Sequence, residues 1–131
     1  MPEPEPIPEP EPEPEPIPEP EPEPEVPTIV SYNISTLLTG LRSEGAAVDR
    51  YGNLIVSGYN DHTIRKYTKS TGNWIIVTGS SGNSGNINSN GTAARFNNPR
   101  GLTIDTTGVR DILYVADTGN DLIRKVEIFT T

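Results

Sequence analysis

A chain of 131 residues has room for one modest domain. Its formal net charge is −8, and it contains no cysteine, which excludes a disulfide framework and thiolate metal sites. No apolar run approaches the roughly 18 residues of a membrane span, and Met1-Pro2-Glu3 lacks the basic region of a secretory signal. We therefore expect neither secretion nor membrane insertion and take the cytoplasm as the default compartment.

The first part of the chain is predicted to be a tail. Residues 1–27 are Pro and Glu, interrupted only by Met1, Ile7, Ile17 and Val26. Proline fixes its own φ near −65° and disfavours the helical region for each preceding Glu, so we predict a disordered, acidic polyproline II tail over residues 1–27 and a folding part over residues 28–131. Ten of the eighteen acidic residues lie in the tail without any basic residue, which leaves the folding part with a net charge of about +2.

The folding part contains two copies of one unit. Residues 45–49 align with residues 101–105, 56 positions later, and Ile64-Arg65-Lys66 aligns with Ile123-Arg124-Lys125, 59 positions later. Short β-rich runs separated by Gly, Asn and Asp are typical of antiparallel strands joined by hairpins. We therefore predict an all-β fold.

A third match concerns the segment that precedes the first copy. Residues 35–40, Ser-Thr-Leu-Leu-Thr-Gly, align with residues 74–79, Trp-Ile-Ile-Val-Thr-Gly. In chain order this predicts a leading strand at 35–40, a four-stranded unit over 45–79 and a three-stranded unit over 101–128. The central strands at 54–56 and 112–115 are apolar at successive positions, so we expect both of their faces to be covered.

Each copy places an aspartate three residues before a glycine at the end of its first strand. The two pairs are Asp49 with Gly52 and Asp105 with Gly108. The carboxylate of such an aspartate accepts from a backbone N–H two residues on, and glycine readily adopts positive φ. We therefore predict the same hairpin turn in both copies.

The second copy carries the residues of a known repeat. They are Arg95-Phe96-Asn97-Asn98-Pro99-Arg100-Gly101, Tyr114-Val115-Ala116-Asp117-Thr118-Gly119-Asn120 and Ile123-Arg124-Lys125. Together these motifs resemble the NHL repeat, one blade of a β-propeller. The first copy departs from the family pattern, because Ser57-Gly58 stands where Ala-Asp is expected, although His62-Thr63-Ile64-Arg65-Lys66 fits.

The resemblance implies two antiparallel propeller blades with structural roles for the repeated positions. These positions are Asp49, Gly52, His62, Asp105, Gly108, Asp117 and Asn120. Two blades cannot close a ring, since propellers need about four to eight, so each terminal blade should expose an apolar face and a strand edge. The leading strand is the piece that the trailing blade lacks. Exchange of this strand among three chains would close a six-bladed ring, a homotrimer.

Catalytic chemistry has little support in the sequence. His62 is the only histidine, no Gly-x-Ser-x-Gly motif occurs, and the turn aspartates belong to separate hairpins. The glycine-rich stretch over residues 79–91 lacks the Lys-Ser or Lys-Thr pair of a phosphate-binding loop. We expect no catalytic residue, no cofactor, no metal and no enzymatic activity.

Basic pairs recur at matching positions and would mark an interaction surface. Its candidate residues are Arg65, Lys66, Arg100, Arg124 and Lys125. The nearly neutral folding part and the acidic tail disfavour nucleic acid as the partner. We therefore expect a non-enzymatic module for protein binding or self-assembly. Two alternatives stay open: a truncated or degenerate propeller fragment without independent activity, and part of a propeller lyase or hydrolase.

Overall fold

The computed structural model describes residues 1–27 and 31–129. The chain divides into two units, Met1–Ser35 and Thr36–Thr131. Residues 1–27 are exposed and form neither helix nor strand. Their polyproline II conformation and disorder stay predictions. The boundary expected at residue 28 lies outside the described residues.

Within the described residues, seven strands form two antiparallel sheets, so the all-β class is confirmed. The first sheet contains β1 (Ala46–Val48), β2 (Leu54–Gly58), β3 (Thr63–Thr68) and β4 (Asn73–Gly79) in that spatial order. The second sheet contains β5 (Pro99–Asp105), β6 (Asp111–Asp117) and β7 (Leu122–Ile128). Two single turns of 3₁₀ helix, Gly91–Ala93 and Thr118–Asn120, are the only helical elements of the described residues.

The two sheets share one pairing register. Ala46 pairs with Val56 in the first sheet, and Leu102 pairs with Val115 in the second. Likewise, the pair Ser57 and Ile64 has its counterpart in Ala116 and Ile123. Every counterpart follows at the spacing of 56 or 59 residues seen in the sequence, so the internal repeat is also a repeat of backbone pairing.

The hairpin turn of the first sheet forms as predicted. The backbone N–H groups of Tyr51 and Asn53 donate to Asp49 Oδ1 at 2.9 and 2.8 Å, and Gly52 has a φ of +81°. This arrangement ties the turn to one carboxylate. It satisfies two donors that the sheet ladder leaves free.

The corresponding turn of the second sheet forms only in part. Thr107 N–H donates to Asp105 Oδ1 at 2.9 Å, but the expectation of positive φ at Gly108 is wrong. The longer turn reverses the chain over more residues, so no single position needs a left-handed conformation. The Arg50 side chain stabilises this turn by donating to the carbonyl oxygens of Thr106, Gly108 and Val109.

The hydrophobic core lies between the two sheets. Its fully buried members are Ile55 and Ile64 from the first sheet, Leu113 and Val115 from the second, and Phe96 from the connection between them. On β2 both faces are covered, since Ile55 and its neighbour Val56 are both buried. On β6 the expectation is wrong for one face: Tyr114 is 39% exposed, because the second sheet has a neighbouring sheet on one side only.

The leading strand does not form within one chain. Residues 36–44 contain no strand and lie against the first sheet instead. The Leu37 carbonyl accepts from Trp74 Nε1 at 3.1 Å, and Leu41 Cδ1 lies 2.8 Å from where a Cβ on Gly58 would be. Near its end the segment joins the edge of β2 by one backbone bond, from Tyr59 N–H to the Arg42 carbonyl at 2.8 Å, but it forms no continuous strand.

Candidate interaction site

Each of the five basic residues expected to form an interaction surface is paired with a carboxylate. The pairs are Arg65 with Asp61, Lys66 with Asp49, Arg100 with Glu44, Arg124 with Asp117 and Lys125 with Glu127. The side chains of Arg100 and Lys125 are half-exposed, whereas that of Arg124 is only 8% exposed. The expectation of a shared basic surface is therefore wrong for Arg124.

The reason for the burial of Arg124 is the connection that precedes β5. The guanidinium donates to the carbonyl oxygens of Ile87 and Arg95 at 3.0 and 2.9 Å, and to Asn88 Oδ1. It also lies over the ring of Phe96, with Cζ 4.7 Å from the centroid. Arg124 thus holds the long connection onto the second sheet.

Asp117 and Asn120 belong to the same buried network. Asp117 is fully buried and accepts from three donors: Asn97 N–H at 2.7 Å, Asn120 Nδ2 at 2.7 Å and Arg124 NH1 at 2.9 Å. Such charge-assisted hydrogen bonds compensate the cost of burying the two charges. The structure therefore places these repeat positions in the interior.

In the first repeat, the carboxylate that pairs with the arginine comes from a different position. Gly58 stands at the position equivalent to Asp117, and the carboxylate beside Arg65 comes instead from Asp61. Burial alone would raise the pKa of Asp61, but hydrogen bonds from Ser81, Arg65 and Thr63 outweigh it and lower the pKa to about 2. Sequence reasoning missed Asp61. The retained Arg65 beside the missing carboxylate was the signal that a substitute must exist.

Replacing Asp61 with asparagine should reduce stability at pH 7 by about 1 to 2 kcal/mol. Because the pKa of Asp61 is lowered from 3.8 to about 2, its contribution is complete above pH 4 and is lost as the pH falls toward 2. The wild-type free energy of unfolding should therefore fall more steeply over this window than that of Asp61→Asn. Urea unfolding at several pH values measures both slopes. Asp121→Asn, at an exposed position, is the charge-matched control, and equal slopes for wild type and Asp61→Asn would contradict the assignment.

His62 joins the two sheets. Its φ is +60°, and its Nδ1 accepts from the backbone N–H of Asn98 at 3.1 Å. Asn98, whose φ is +51°, in turn donates from its side chain to the Tyr59 carbonyl at 2.9 Å. The equivalent residue of the second repeat, Asp121, has a φ of +56°, so both turns share this left-handed position. The imidazole is thus engaged in holding the segment before β5.

A groove of about 900 Å³ runs along β7. It is lined by Val77 and Thr78 of β4, by Asn90 and Gly91 of the connection, and by residues 122–129. Within the described residues, β7 pairs with β6 on one side and with no strand on the other. In the first sheet the equivalent edge, that of β3, is occupied by β4. The groove therefore lies where a fourth strand of the second sheet would lie.

The outer face of the second sheet is also uncovered. Tyr114 and Ile123 are 39% and 74% exposed, whereas Ile55 and Ile64, their equivalents in the first sheet, are fully buried. A hollow of about 270 Å³ lies on this face beside Gly101. By the repeat, this exposed face of the second sheet is equivalent to the buried face of the first sheet, which packs against the second sheet.

No three side chains of His, Cys, Asp or Glu in the described part of the chain lie close enough together to hold a metal ion. Over the same residues, no helix has the length and apolar character that crossing a membrane requires.

Comparison with known proteins shows a similar fold and no function. No protein-family model and no curated protein matches this sequence. The crystal structure of a structural genomics protein of unknown function from Bacteroides thetaiotaomicron is similar, with a TM-score of 0.59 and 26% sequence identity. The similar region covers 64% of this chain and 20% of that protein. The chain thus spans about a fifth of the length of this structural neighbour.

Proposed function

We propose that this chain is a non-enzymatic interaction module whose groove along β7 binds an extended protein segment as an added β-strand. The carrying observation is the unpaired edge of β7, beside a groove of about 900 Å³, at the position that β4 fills in the first sheet. In this mode of recognition the main-chain hydrogen bonds supply affinity and the pockets for alternate side chains supply specificity.

We assign the two sheets as NHL-type propeller blades. The shared pairing register supports this assignment, as does the placement of the motif residues Asp117, Asn120 and Arg124 in one network. The uncovered edge and face of the second sheet are what an incomplete propeller leaves exposed.

The first sheet indicates which segment fits the groove. At the end of β4, Val77 packs on the core, Thr78 Oγ1 donates to the Gly91 carbonyl at 3.0 Å, and Gly79 has a φ of +89°. A Cβ on Gly79 would overlap the His62 carbonyl oxygen, so glycine is required there. By equivalence, the bound segment should carry an aliphatic residue followed by Thr-Gly.

A peptide of residues 33–42, which contains Leu38-Thr39-Gly40, is the probe. The acceptor is the full chain carrying Leu37→Asp and Leu38→Asp, which removes its own copy of the pattern. Fluorescence anisotropy of the labelled peptide should show saturable one-to-one binding, and amides of β7 should exchange more slowly in the complex. A peptide with Gly40→Val should bind at least about tenfold more weakly, because valine disfavours positive φ. Equal binding of the two peptides, or none, would contradict the proposal.

A further inference from the structure

We infer that a second copy of this chain supplies the strand bound in the β7 groove and docks head to tail, covering the exposed face of the second sheet. This inference rests on the proposed function, because it names the source of the bound segment. Three features of the chain support the inference. Residues 36–40 resemble the end of β4, the two outer sheet faces are equivalent to the two faces that pack together within the chain, and Gly101 has no role in the single chain.

The matching segment is residues 36–40. Leu38-Thr39-Gly40 repeats the aliphatic-Thr-Gly pattern of Val77-Thr78-Gly79, and Gly40 already has a φ of +77°, close to the +89° of Gly79. The segment forms no strand of its own, and Leu37 is exposed. It therefore has, at its terminal glycine, the conformation that a fourth strand needs, and pairing with β7 would replace the bond that the Leu37 carbonyl accepts from Trp74 Nε1.

The two outer faces match the two faces that are buried within the chain. Ser57 of the first sheet contacts the second, its Oγ donating to the Arg100 carbonyl at 2.6 Å, and its equivalent Ala116 lies on the uncovered face of the second sheet. Conversely, Ile104 packs toward the core, and its equivalent Val48 is 54% exposed on the opposite side of the first sheet. We therefore expect the outer face of the first sheet of one copy to pack on the outer face of the second sheet of another copy. This contact would repeat the one that the two inner faces make within a single chain. Such a contact is heterologous.

Gly101 marks where the second copy approaches. At the equivalent position in the first sheet, a Cβ on Gly45 would overlap the Arg100 carbonyl oxygen and lie 2.9 Å from the Leu102 nitrogen, so the sheets touch there. A Cβ on Gly101 would meet only the Ala116 Cβ, at an ordinary 3.8 Å. Glycine is costly in a strand, and at Gly101 the single chain does not require it. A second sheet docked as in the internal contact does.

Designed cysteine pairs test the register, and the absence of native cysteine makes the test clean. Lys66 pairs with Ile75 in the first sheet, so the equivalent residues Lys125 and Thr36 should face each other across two chains. Under mild oxidation, Thr36→Cys with Lys125→Cys should give disulfide-linked multimers, because directly opposite Cβ atoms are about 4.5 to 5.5 Å apart. Thr36→Cys with Val126→Cys should not, since adjacent strand residues point to opposite faces.

Light scattering of the full chain gives the second readout. Closed propellers have about four to eight blades, so two to four copies of this two-sheet chain would close a ring, three copies giving six sheets. We therefore expect one species of two to four times the chain mass for the wild type and the monomer mass for Gly101→Ala, with its β circular dichroism retained. Leu37→Asp with Leu38→Asp should also give the monomer mass, and it lies outside the strands. A folded wild-type monomer, or equal cross-linking of the two cysteine pairs, would overturn the inference. In that case peptide binding in the groove would still support the proposed function.

Discussion

Replacing Asp117 with asparagine should reduce the stability of the chain by about 3 to 5 kcal/mol, because it leaves a buried guanidinium without its counter-charge. Asparagine keeps the shape of the side chain but carries one amide nitrogen in place of an oxygen. All three groups around Asp117 are donors, namely Asn97 N–H, Asn120 Nδ2 and Arg124 NH1, so that nitrogen would face another donor. The Arg124 side chain, only 8% exposed, has little access to water as a substitute.

Urea unfolding of the full chain at pH 7, followed by circular dichroism, measures this loss. Glu127→Gln is the matched control, because it removes a carboxylate from the exposed pairs with Lys125 and Arg110 on the same strand pair and should produce no measurable change. If Asp117→Asn were no less stable than Glu127→Gln, the network would not have the assigned role.

The features that the sequence predicted correctly depend on neighbours in the chain. The Asp49 turn needs only residues up to Asn53, and the strands follow from β-rich runs between turn residues. The repeat adds a second, independent copy of each pattern. Local hydrogen bonding and strand periodicity therefore sufficed for the class of fold and for the order of the strands from residue 46 onward, but not for the leading strand predicted at 35–40.

The features that the sequence predicted wrongly depend on distant partners. Arg124 and Lys125 look alike as a repeated basic pair, yet only Arg124 is enclosed, because the connection at residues 87–95 folds over it. The turn at Gly108, which lacks the expected positive φ, is held by Arg50, a residue far away in sequence that donates to carbonyl oxygens of this turn. Such contacts leave no periodic signal.

The sequence predicted the place of the groove, because it predicted that the second sheet lacks a fourth strand, but it did not predict the residues that line the groove. Counting strands in the repeat indicates that the second unit lacks its fourth strand, and β7 indeed has an unpaired edge among the described residues. The shape of the groove was not predictable, since it depends on how Phe96 and the connection pack beside Arg124.

Replacing Gly45 with alanine should be nearly as damaging, with an expected loss of about 3 kcal/mol, at the upper end of what overpacking costs. The added methyl would overlap the Arg100 carbonyl oxygen and crowd the Leu102 nitrogen, and both belong to backbone that cannot rotate away. The two sheets would have to separate at β1 and β5, which would loosen the core formed by Ile55 and its neighbours.

Gly101→Ala is the matched control for Gly45→Ala, because the two glycines occupy equivalent positions in the repeat. They differ in their surroundings: the second sheet packs against Gly45, whereas Gly101 lies on an uncovered face. The nearest atom to a Cβ on Gly101 is 3.8 Å away, so the single chain should accept this methyl without loss. Unfolding of both variants should be measured at a dilution where light scattering shows the monomer mass, so that assembly does not contribute to stability. Equal losses of stability for the two variants would mean that the close contact between the sheets does not explain why glycine is required at position 45. The use of that contact as a guide to docking at Gly101 would then be contradicted as well.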